Sequence, residues 1–422
     1  MTYFLGIDFG TSGARGVVID GDRAIATSVK YAWQNLSDRN LIPSWRTALY
    51  YLLEKISPEI KSQLDAIAIN GTSSTVLLCD RQGQPLTAPL LYNDPRGKAV
   101  LEKIKTVAPT DSVVISATSS LAKLFWWYEQ NYCSDAVYFL HQADWLAFLL
   151  HGKLGISDYH NALKLGYDVE KLTYPSWLQN LPFNHLYPQV LPPGTPVGQI
   201  TTEICDRFNI SSDCLVCTGT TDSIAAFLAS GATEPGEAVT SLGSTLVLKL
   251  LSTKKVEASQ YGIYSHRLGN LWLTGGASNT GGAVLKHFFN HHQLTTLSAK
   301  IDPNQISPLN YYPLLQPGDR FPINDPNLSP QLEPRPDNPV EFLHGLLESM
   351  SRIEKQGYEK LQQLGPSKLT KIYTAGGGAQ NKTWQQIRQR YFDLPVVAAA
   401  NTEAAYGTAL LAARKSINKN VD

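Results

Sequence analysis

The fold is decided by the stretch Tyr3-Phe-Leu-Gly-Ile-Asp-Phe-Gly-Thr-Ser-Gly-Ala-Arg-Gly-Val-Val-Ile19. Its first residues, 3–7, are apolar and β-prone, and residues 15–19 resume the same pattern after a run of small residues. The sequence Asp20-Gly-Asp22 that follows is typical of a hairpin turn. The stretch therefore predicts a strand, a loop rich in small residues, and a returning strand.

A similar unit recurs in the second half of the chain. Residues 237–242 predict a strand, Gly243-Ser-Thr245 a small-residue turn, and residues 246–251 a returning strand. Further strands are expected at 261–264 and 271–274. The recurrence indicates an internal duplication, which predicts two α/β lobes that face each other, with a boundary near Gly231 to Gly236.

Composition and charge exclude several classes of protein. A chain of 422 residues predicts two or three domains at ~100–200 residues each. Lys+Arg and Asp+Glu both number 36, so no basic surface for nucleic acid is expected. No apolar run approaches the ~20 residues of a membrane span, and no signal peptide is visible. The five cysteines fit a reducing compartment. We expect a cytoplasmic protein without nucleic-acid or membrane partners.

The first loop has the chemistry of an anion site. Asp8 closes the first strand, and Gly10, Thr11 and Ser12 let backbone N–H groups approach an anion. The carboxylate of Asp8 could hold Mg²⁺ through water. Arg15 lies downstream in the returning strand. A plain hairpin turn is the alternative interpretation of the same residues.

Two further loops carry glycine. Gly243-Ser-Thr245 repeats the small hydroxyl pattern, and two such loops could clamp a polyphosphate. Gly376-Gly-Gly-Ala-Gln-Asn381 joins a predicted strand, 372–375, to a predicted helix, 382–392. Three glycines there permit close approach of a flat ring or a phosphate, with Asn381 and Trp384 beside a base. Tight packing of strand against helix is the alternative.

A fourth motif, Gly219-Thr-Thr-Asp222, follows a predicted strand at 214–218 and precedes a predicted helix at 223–230. Aspartate is favoured as the N-cap of a helix, which gives Asp222 a structural interpretation. The functional alternative is a general base held in a cleft. This segment alone favours the N-cap interpretation of Asp222. Only the presence of the other motifs favours its interpretation as a general base.

Taken together, in this order and spacing, the motifs resemble the FGGY carbohydrate kinase family of the actin/hexokinase/Hsp70 superfamily. Further landmarks are Ala66-Ile-Ala-Ile-Asn-Gly71, Tyr92-Asn-Asp-Pro-Arg96 and Glu403-Ala-Ala-Tyr-Gly-Thr-Ala409. The resemblance implies a duplicated actin-like ATPase fold (ribonuclease H-like), with two lobes and a cleft between them. Residues 1–230 would form the sugar-binding lobe, joined by a returning helix at 403–416, and residues 231–402 the nucleotide-binding lobe.

The resemblance also implies an ATP- and Mg²⁺-dependent sugar kinase. In such kinases the residue matching Asp222 deprotonates the attacking hydroxyl, and the one matching Asp8 positions Mg²⁺ and contacts the substrate. The remaining roles are phosphate binding by Gly10, Thr11, Ser12, Arg15, Gly243, Ser244 and Thr245, nucleotide binding by Gly376, Gly377, Gly378, Asn381 and Trp384, and sugar binding by Asp8, Thr72, Ser73, Asp94, Arg96 and Asp222.

The sugar is expected to be D-ribulose, with D-xylulose as the alternative. Gly71-Thr-Ser-Ser-Thr75 stands where xylulokinase-like sequences commonly carry Gly-Gln-Met-His, and it resembles the Asp-Ala-Thr-Cys-Ser segment of D-ribulokinase-like members. These residues could also form only a polar turn. The rivals of another class are an ATP-driven switch or chaperone-like protein of the same superfamily and an inactive sugar sensor. The oligomeric state, monomer or homodimer, stays open.

Overall fold

The computed structural model describes residues 1–33 and 40–418, with side chains as far as residue 414. The chain forms two compact units, Met1–Ala229 with Glu403–Asp422, and Ser230–Thr402. In residues 1–33 and 40–418 no helix is both long enough and apolar enough to cross a membrane.

The strands in chain order are β1 (Tyr3–Phe9), β2 (Gly13–Asp20), β3 (Ile25–Ala32), β4 (Leu64–Gly71), β5 (Val76–Cys79), β6 (Tyr138–His141), β7 (Ile156–Asp158), β8 (Gln189–Leu191), β9 (Pro196–Gln199), β10 (Leu215–Cys217), β11 (Thr220–Thr221), β12 (Glu237–Leu242), β13 (Leu246–Ser252), β14 (Tyr264–Leu268), β15 (Leu271–Ser278), β16 (Lys371–Ala375) and β17 (Val396–Ala398).

The helices are α1 (Leu41–Lys55), α2 (Pro58–Lys61), α3 (Leu101–Val107), α4 (Ser120–Glu129), α5 (Gln142–His151), α6 (Tyr159–Ala162), α7 (Ser176–Gln179), α8 (Thr202–Phe208), α9 (Asp222–Ala229), α10 (Gly282–Phe288), α11 (His291–Ser298), α12 (Pro339–Gln363), α13 (Lys382–Tyr391) and α14 (Ala404–Asn418).

The main sheet of the first unit has the order β3-β2-β1-β4-β10-β9, with β11 also paired to β4. Strands β1, β2 and β3 form an antiparallel meander, whereas β4 pairs in parallel with β1 and with β10. The central strands β1 and β4 are almost wholly buried, as expected of apolar strands covered on both faces. Because parallel strands end at one edge, this arrangement brings the ends of β1, β4 and β11 together.

The main sheet of the second unit has the order β14-β15-β13-β12-β16-β17. Strands β12, β13 and β15 form the antiparallel meander, and β16 joins β12 and β17 in parallel. The series β15-β13-β12-β16-β17 therefore repeats the series β3-β2-β1-β4-β10. The duplicated α/β fold predicted from the two strand–loop–strand units is confirmed.

The helix α14 packs directly on the first sheet. A Cβ atom added to Gly6 of β1 would lie 2.1 Å from the Ala405 oxygen and 2.1 Å from the Ala409 nitrogen. The small residues Ala405, Ala409 and Ala412 share a buried cluster with Phe4 of β1. Glycine at position 6 is what allows this close approach, which fixes the start of α14 near the end of β1.

One predicted strand is displaced in the structure. Residues 259–261 form a short 3₁₀ turn, and β14 begins only at Tyr264 and continues to Leu268. Its sequence, Tyr-Ser-His-Arg-Leu, carries polar residues at three of five positions, so its apolar pattern is weak. Pairing with β15 along its whole length forms this strand, and such pairing cannot be seen in a local window.

Candidate active site

A polar pocket of about 330 Å³ lies in the first unit. It is built from the end of β1, the loop to β2, the start of α9 and the start of α14. Its lining residues are Asp8, Gly10, Thr11, Ser12, Gly13, Arg15, Asp222, Ser223, Ala226 and Ala404. The structure thus brings together the first predicted loop and the fourth predicted motif, which lie far apart in the sequence.

Asp8 is the buried acid of this pocket. Asp8 is 7% exposed, and within the described chain its Oδ1 atom has no hydrogen-bond partner. Burial, followed by the charges of Asp222 and Glu403, raises the pKa of Asp8 from 3.8 to about 7, against the opposing effect of the Arg15 charge. A carboxylate so placed is suited to a cation or to a proton shared with a ligand.

Asp222 is the half-buried acid of the same pocket and the first residue of α9. Its Oδ1 accepts a hydrogen bond of 2.7 Å from the backbone N–H of Ser223. The structural interpretation of Asp222 as a helix-start residue and its placement in the pocket are therefore compatible, since one carboxylate serves both. Its charge acts on Asp8, which makes the two acids one electrostatic unit.

The loop between β1 and β2 is held in a defined shape. The Gly10 N–H donates to the Gly13 oxygen over 3.0 Å, and Trp33 Nε1 donates to the Gly10 oxygen over 3.1 Å. Thr11 and Ser12, between these anchors, are exposed at the pocket. The loop therefore presents two hydroxyls and a turn of backbone to whatever the pocket holds.

Arg15 supplies the positive charge at the pocket. It lies opposite Asp8 in the β1–β2 register, and its Nη1 is 3.2 Å from Glu403 Oε2. Both side chains of this ion pair are about 40% exposed, so solvent screens the pair and it contributes little to stability. Its evident effect is to hold Arg15 in place beside the buried carboxylate.

Sequence reasoning missed two polar groups at the same edge of the sheet. Asn70, at the end of β4, lies opposite Asp8, and Thr221 of β11 lies opposite Gly71. Asn70 Oδ1 and Thr221 Oγ1 are buried without a hydrogen-bond partner in the described chain. Such groups are costly unless something bonds them, so they indicate a ligand at this edge. Polar residues closing successive buried strands were the signal.

Of the predicted sugar residues, Asp8 and Asp222 line this pocket, whereas Thr72, Ser73, Asp94 and Arg96 lie outside its lining. Thr72 is buried, and its hydroxyl lies 2.5 Å from the Thr75 hydroxyl and 3.3 Å from Gln142 Oε1. Ser73, next to it, is half-buried. Asp94 and Arg96 pair with each other instead, with Nη2 2.7 Å from Oδ2.

Three glycine turns meet in the second unit. The Gly282 N–H donates to the Gly243 oxygen over 2.8 Å, which joins the start of α10 to the turn Gly243–Thr245. Gly376 has a φ of +81°, and a Cβ atom there would lie 2.8 Å from the Leu242 carbonyl carbon. The two glycine-containing loops predicted from the sequence are thus neighbours, and Gly281-Gly282 is a third member that sequence reasoning missed.

The three consecutive glycines have different surroundings. Gly376 and Gly378 face Leu242, and Gly378 also meets the Trp384 ring, so close packing explains both. A Cβ atom on Gly377 would meet nothing within 4 Å. Packing therefore accounts for two of the glycines, and the third faces open space where a ligand can approach.

Asn381 and Trp384 support this loop from behind. The Asn381 side chain caps α13 by accepting from the Trp384 N–H over 3.0 Å, and it donates to Ser298 Oγ over 2.9 Å. Trp384 is 2% exposed, and its Nε1 donates to Ser351 Oγ. A place beside a nucleotide base stays a prediction for both, and their packing favours a supporting role.

A buried ion pair braces the strands that carry these loops. Arg388 Nε lies 2.6 Å from Glu354 Oε2, and both residues are essentially unexposed. Glu354 also accepts from Thr240 of β12, and Arg388 donates to Thr374 of β16. The turn Gly243–Thr245 follows β12 and the glycine loop follows β16, so one charged network fixes both.

Comparison with known proteins agrees with this class of fold. Residues 3–229 match the N-terminal domain, and residues 238–416 the C-terminal domain, of the FGGY family of carbohydrate kinases. The two sheets of repeated topology are those of an actin-like ATPase fold, which the structural neighbours share. The chain belongs to the FGGY family of carbohydrate kinases.

Its relatives include kinases of two ketopentoses. It is 22% identical over 443 residues to a xylulose kinase of Staphylococcus xylosus, covering 98% of this chain and 91% of that one. It is 25% identical over 311 residues to a ribulokinase of Halalkalibacterium halodurans, covering 60% of this chain and 54% of that one. A solved xylulose kinase from Lactobacillus acidophilus superposes with a TM-score of 0.86 at 18% identity, over 100% of this chain and 91% of that one. This superposition supports the fold alone.

Proposed function

We propose that the protein transfers the γ-phosphoryl group of ATP to a hydroxyl of a ketopentose, with D-xylulose as the first candidate and D-ribulose as the second. The observation that carries the proposal is the pairing of Asp8 and Asp222 in one polar pocket of a carbohydrate kinase. Phosphoryl transfer needs a proton acceptor and a site that neutralises charge, and this pocket offers groups for both.

The preference for D-xylulose revises the expectation drawn from Gly71 to Thr75. Relatives named xylulose kinase align over nearly the whole chain, whereas those named ribulokinase align over 60% of it. The hydroxyls of Thr72 and Thr75 also hydrogen-bond one another, so they offer fewer free groups to a sugar than their composition suggested. Both considerations weaken the case for D-ribulose.

Each acid in the pocket has its own part in the proposal. Asp222 accepts the proton of the attacking hydroxyl, since it is half-buried and reachable from the pocket. Asp8 is more deeply buried, beside Arg15, and its proposed part is to hold Mg²⁺. The hydroxyls and backbone of Thr11 and Ser12 contact phosphate oxygens.

The residues present fit a Mg²⁺ ion. Asp8 Oδ1 is buried without a partner in the described chain, and a second carboxylate, Asp222, faces the same pocket. Mg²⁺ is ordinarily held by one or two protein carboxylates together with waters and phosphate oxygens. Bound there, the ion would neutralise charge on the phosphates.

The nucleotide is assigned to the second unit. The turn Gly243–Thr245, the start of α10 and the loop Gly376–Gly378 lie side by side, and Gly377 and Ser244 are exposed there. Neighbouring glycine turns allow backbone N–H groups to approach phosphates and a base closely. We therefore place the adenosine at 376–381 and the phosphates beside Gly243–Thr245.

The variant Gly377→Val is expected to raise the Michaelis constant for ATP at least tenfold while that for the sugar stays within about twofold. The added side chain would enter open space and not the protein core, so folding is expected to survive. Steady-state kinetics with each substrate varied in turn measures the effect. Gly21→Val is the matched control, because position 21 is equally open and lies in the β2–β3 turn. A larger rise for the sugar than for ATP would refute the assignment.

The substrate is tested by measuring specificity constants for D-xylulose, D-ribulose, L-ribulose and glycerol with Mg-ATP. We expect D-xylulose to give the highest value. Because the two D-ketopentoses differ only in configuration at C3, the margin over D-ribulose depends on a few directed hydrogen bonds. A clear preference for D-ribulose would restore the expectation from the sequence. Absence of sugar-dependent turnover with every ketose tested would overturn the proposed function itself.

A further inference from the structure

A fully buried lysine lies behind the predicted sugar residues. Lys123 is in α4, is 0% exposed, and donates from Nζ to the Ser74 oxygen over 2.7 Å and to the Leu91 oxygen over 2.5 Å. These two carbonyls belong to two different segments, 72–75 and 91–96. Each segment carries residues predicted to bind the sugar, and one amine joins the two segments.

A buried amine is a costly way to fill this space. Burial lowers the pKa of Lys123 to about 7, while the nearby Asp94 carboxylate opposes the shift and the charges of Lys164 and Arg96 add to it. Its neighbours on α4, Leu121, Leu124 and Trp127, are apolar and buried. A methionine would fill a similar volume without the cost of burying an ammonium group. The contribution specific to lysine is therefore its pair of hydrogen bonds.

The segment that Lys123 holds is under local strain. Ser74 has a φ of +63°, in the left-handed region that few non-glycine residues adopt, and its Oγ is buried without a partner in the described chain. A second tie runs parallel to the first, since Tyr92 N–H donates to Thr75 Oγ1 over 3.0 Å. The strained conformation of 72–75 is thus kept in register with 91–92 by Lys123 and Thr75.

The predicted sugar residues flank these ties. Ser73 precedes Ser74 directly, and Asp94 and Arg96 follow Leu91 in the same loop. The Asp94–Arg96 pair is positioned in turn by the ring of Trp126, which lies 5.0 Å from the guanidinium. A shift of about 1 Å in such positioning groups can reduce turnover ~10²-fold. If the two segments form part of the sugar site, sugar recognition is expected to depend on the distance between them.

We propose that Lys123 is a positioning residue that sets the spacing between segments 72–75 and 91–96 and thereby tunes sugar recognition. It does so from within the protein, because it is wholly buried and cannot contact the sugar. The inference rests on the proposed function, since it takes the two segments to form part of the sugar site.

The kinetic test compares Lys123→Met, Lys123→Gln and the control Lys103→Met, which removes a lysine that is 56% exposed on α3. Lys123→Met is expected to raise the Michaelis constant for the ketopentose at least tenfold and to narrow the ratio of specificity constants between D-xylulose and D-ribulose. The constant for ATP should stay within about twofold. Lys123→Gln, which keeps an N–H₂ donor, should recover part of the loss, and Lys103→Met should resemble the wild type.

An unchanged Michaelis constant for the ketopentose in Lys123→Met would overturn the proposal. Equal rises in the Michaelis constants for the ketopentose and for ATP would also overturn it. Hydrogen–deuterium exchange gives a readout that needs no sugar. Faster exchange confined to peptides covering 72–75 and 91–96 would support the spacing role, and unchanged exchange in both would overturn it. If Lys123→Met does not fold, Lys123→Gln is measured in its place by the same comparisons. Wild-type protein without sugar-dependent turnover would overturn the proposed function, while the exchange data would still judge the spacing.

Discussion

The variant Asp222→Asn is expected to lose nearly all sugar phosphorylation while its affinity for nucleotide stays within a few fold. Removal of a general base typically reduces turnover ~10²–10⁴-fold. Asparagine preserves the size of the side chain, and its Oδ1 can still accept from the Ser223 N–H at the start of α9. The helix should therefore persist, and the change isolates proton acceptance from structure.

Turnover of Mg-ATP with D-xylulose and calorimetric titration with nucleotide measure the two quantities. Glu203→Gln is the matched control, since Glu203 is an exposed acid in the first turn of another helix, α8. It should leave both quantities unchanged. Full turnover in Asp222→Asn would reduce Asp222 to a residue that only begins a helix.

The variant Asp8→Asn is expected to show effects of opposite sign on activity and stability. Sugar phosphorylation should fall at least 10²-fold, because the buried carboxylate proposed to hold Mg²⁺ loses its charge. At pH 8 and without ligands, however, the variant should be more stable than the wild type. A neutral amide does not carry the cost of an ionised carboxylate in a buried site beside Asp222.

The pH dependence of that stability difference has a definite direction. The pKa of Asp8 rises from 3.8 to about 7 on folding, so the folded protein retains a proton that the unfolded chain releases. The stabilisation this gives is fully present below pH 3.8 and is lost as the pH rises through 7. At about 1.4 kcal/mol per pKa unit, the free energy of unfolding of Asp8→Asn, relative to that of the wild type, should rise by roughly 2–4 kcal/mol between pH 4 and pH 8.

Thermal or urea unfolding of both proteins at pH 4, 6 and 8 measures this gain. Asp20→Asn is a suitable control, because Asp20 is a partly exposed acid at the end of β2, outside the pocket lining. It should show no comparable rise with pH. A constant difference between Asp8→Asn and wild type across the range would mean that Asp8 is not held at a raised pKa.

Local patterns in the sequence were sufficient to predict the skeleton of both units. The apolar runs around Asp8 and around Gly243 are continuous and are bounded by small residues, so strand, loop and returning strand are visible without tertiary information. The order of β16, the glycine loop and α13 was visible for the same reason. The weakly patterned β14 was displaced, because its strand character depends on pairing with β15.

The sequence identified site residues only where the local pattern marks them, at the end of a predicted strand or the start of a predicted helix. Asp8 and Asp222 stand at strand and helix ends, which marks them as candidates, but their meeting in one pocket depends on how β1, β4 and β11 pair. Lys123 looks like an ordinary helix residue in the sequence, and only its burial and its two carbonyl partners single it out. Trp384, an aromatic beside a glycine loop, lies in the core of the second unit, and its predicted place beside a base stays a prediction.

The central claim is tested most directly by following the γ-phosphoryl group of ATP with and without D-xylulose, in the wild type and in Asp222→Asn. Phosphorus NMR of the reaction distinguishes a sugar phosphate from free phosphate. The account predicts that the wild type forms sugar phosphate in step with ADP, and that Asp222→Asn forms at most about one hundredth as much in the same time. ADP and free phosphate released by the wild type at the same rate with and without ketopentose, or undiminished sugar phosphate from Asp222→Asn, would contradict it.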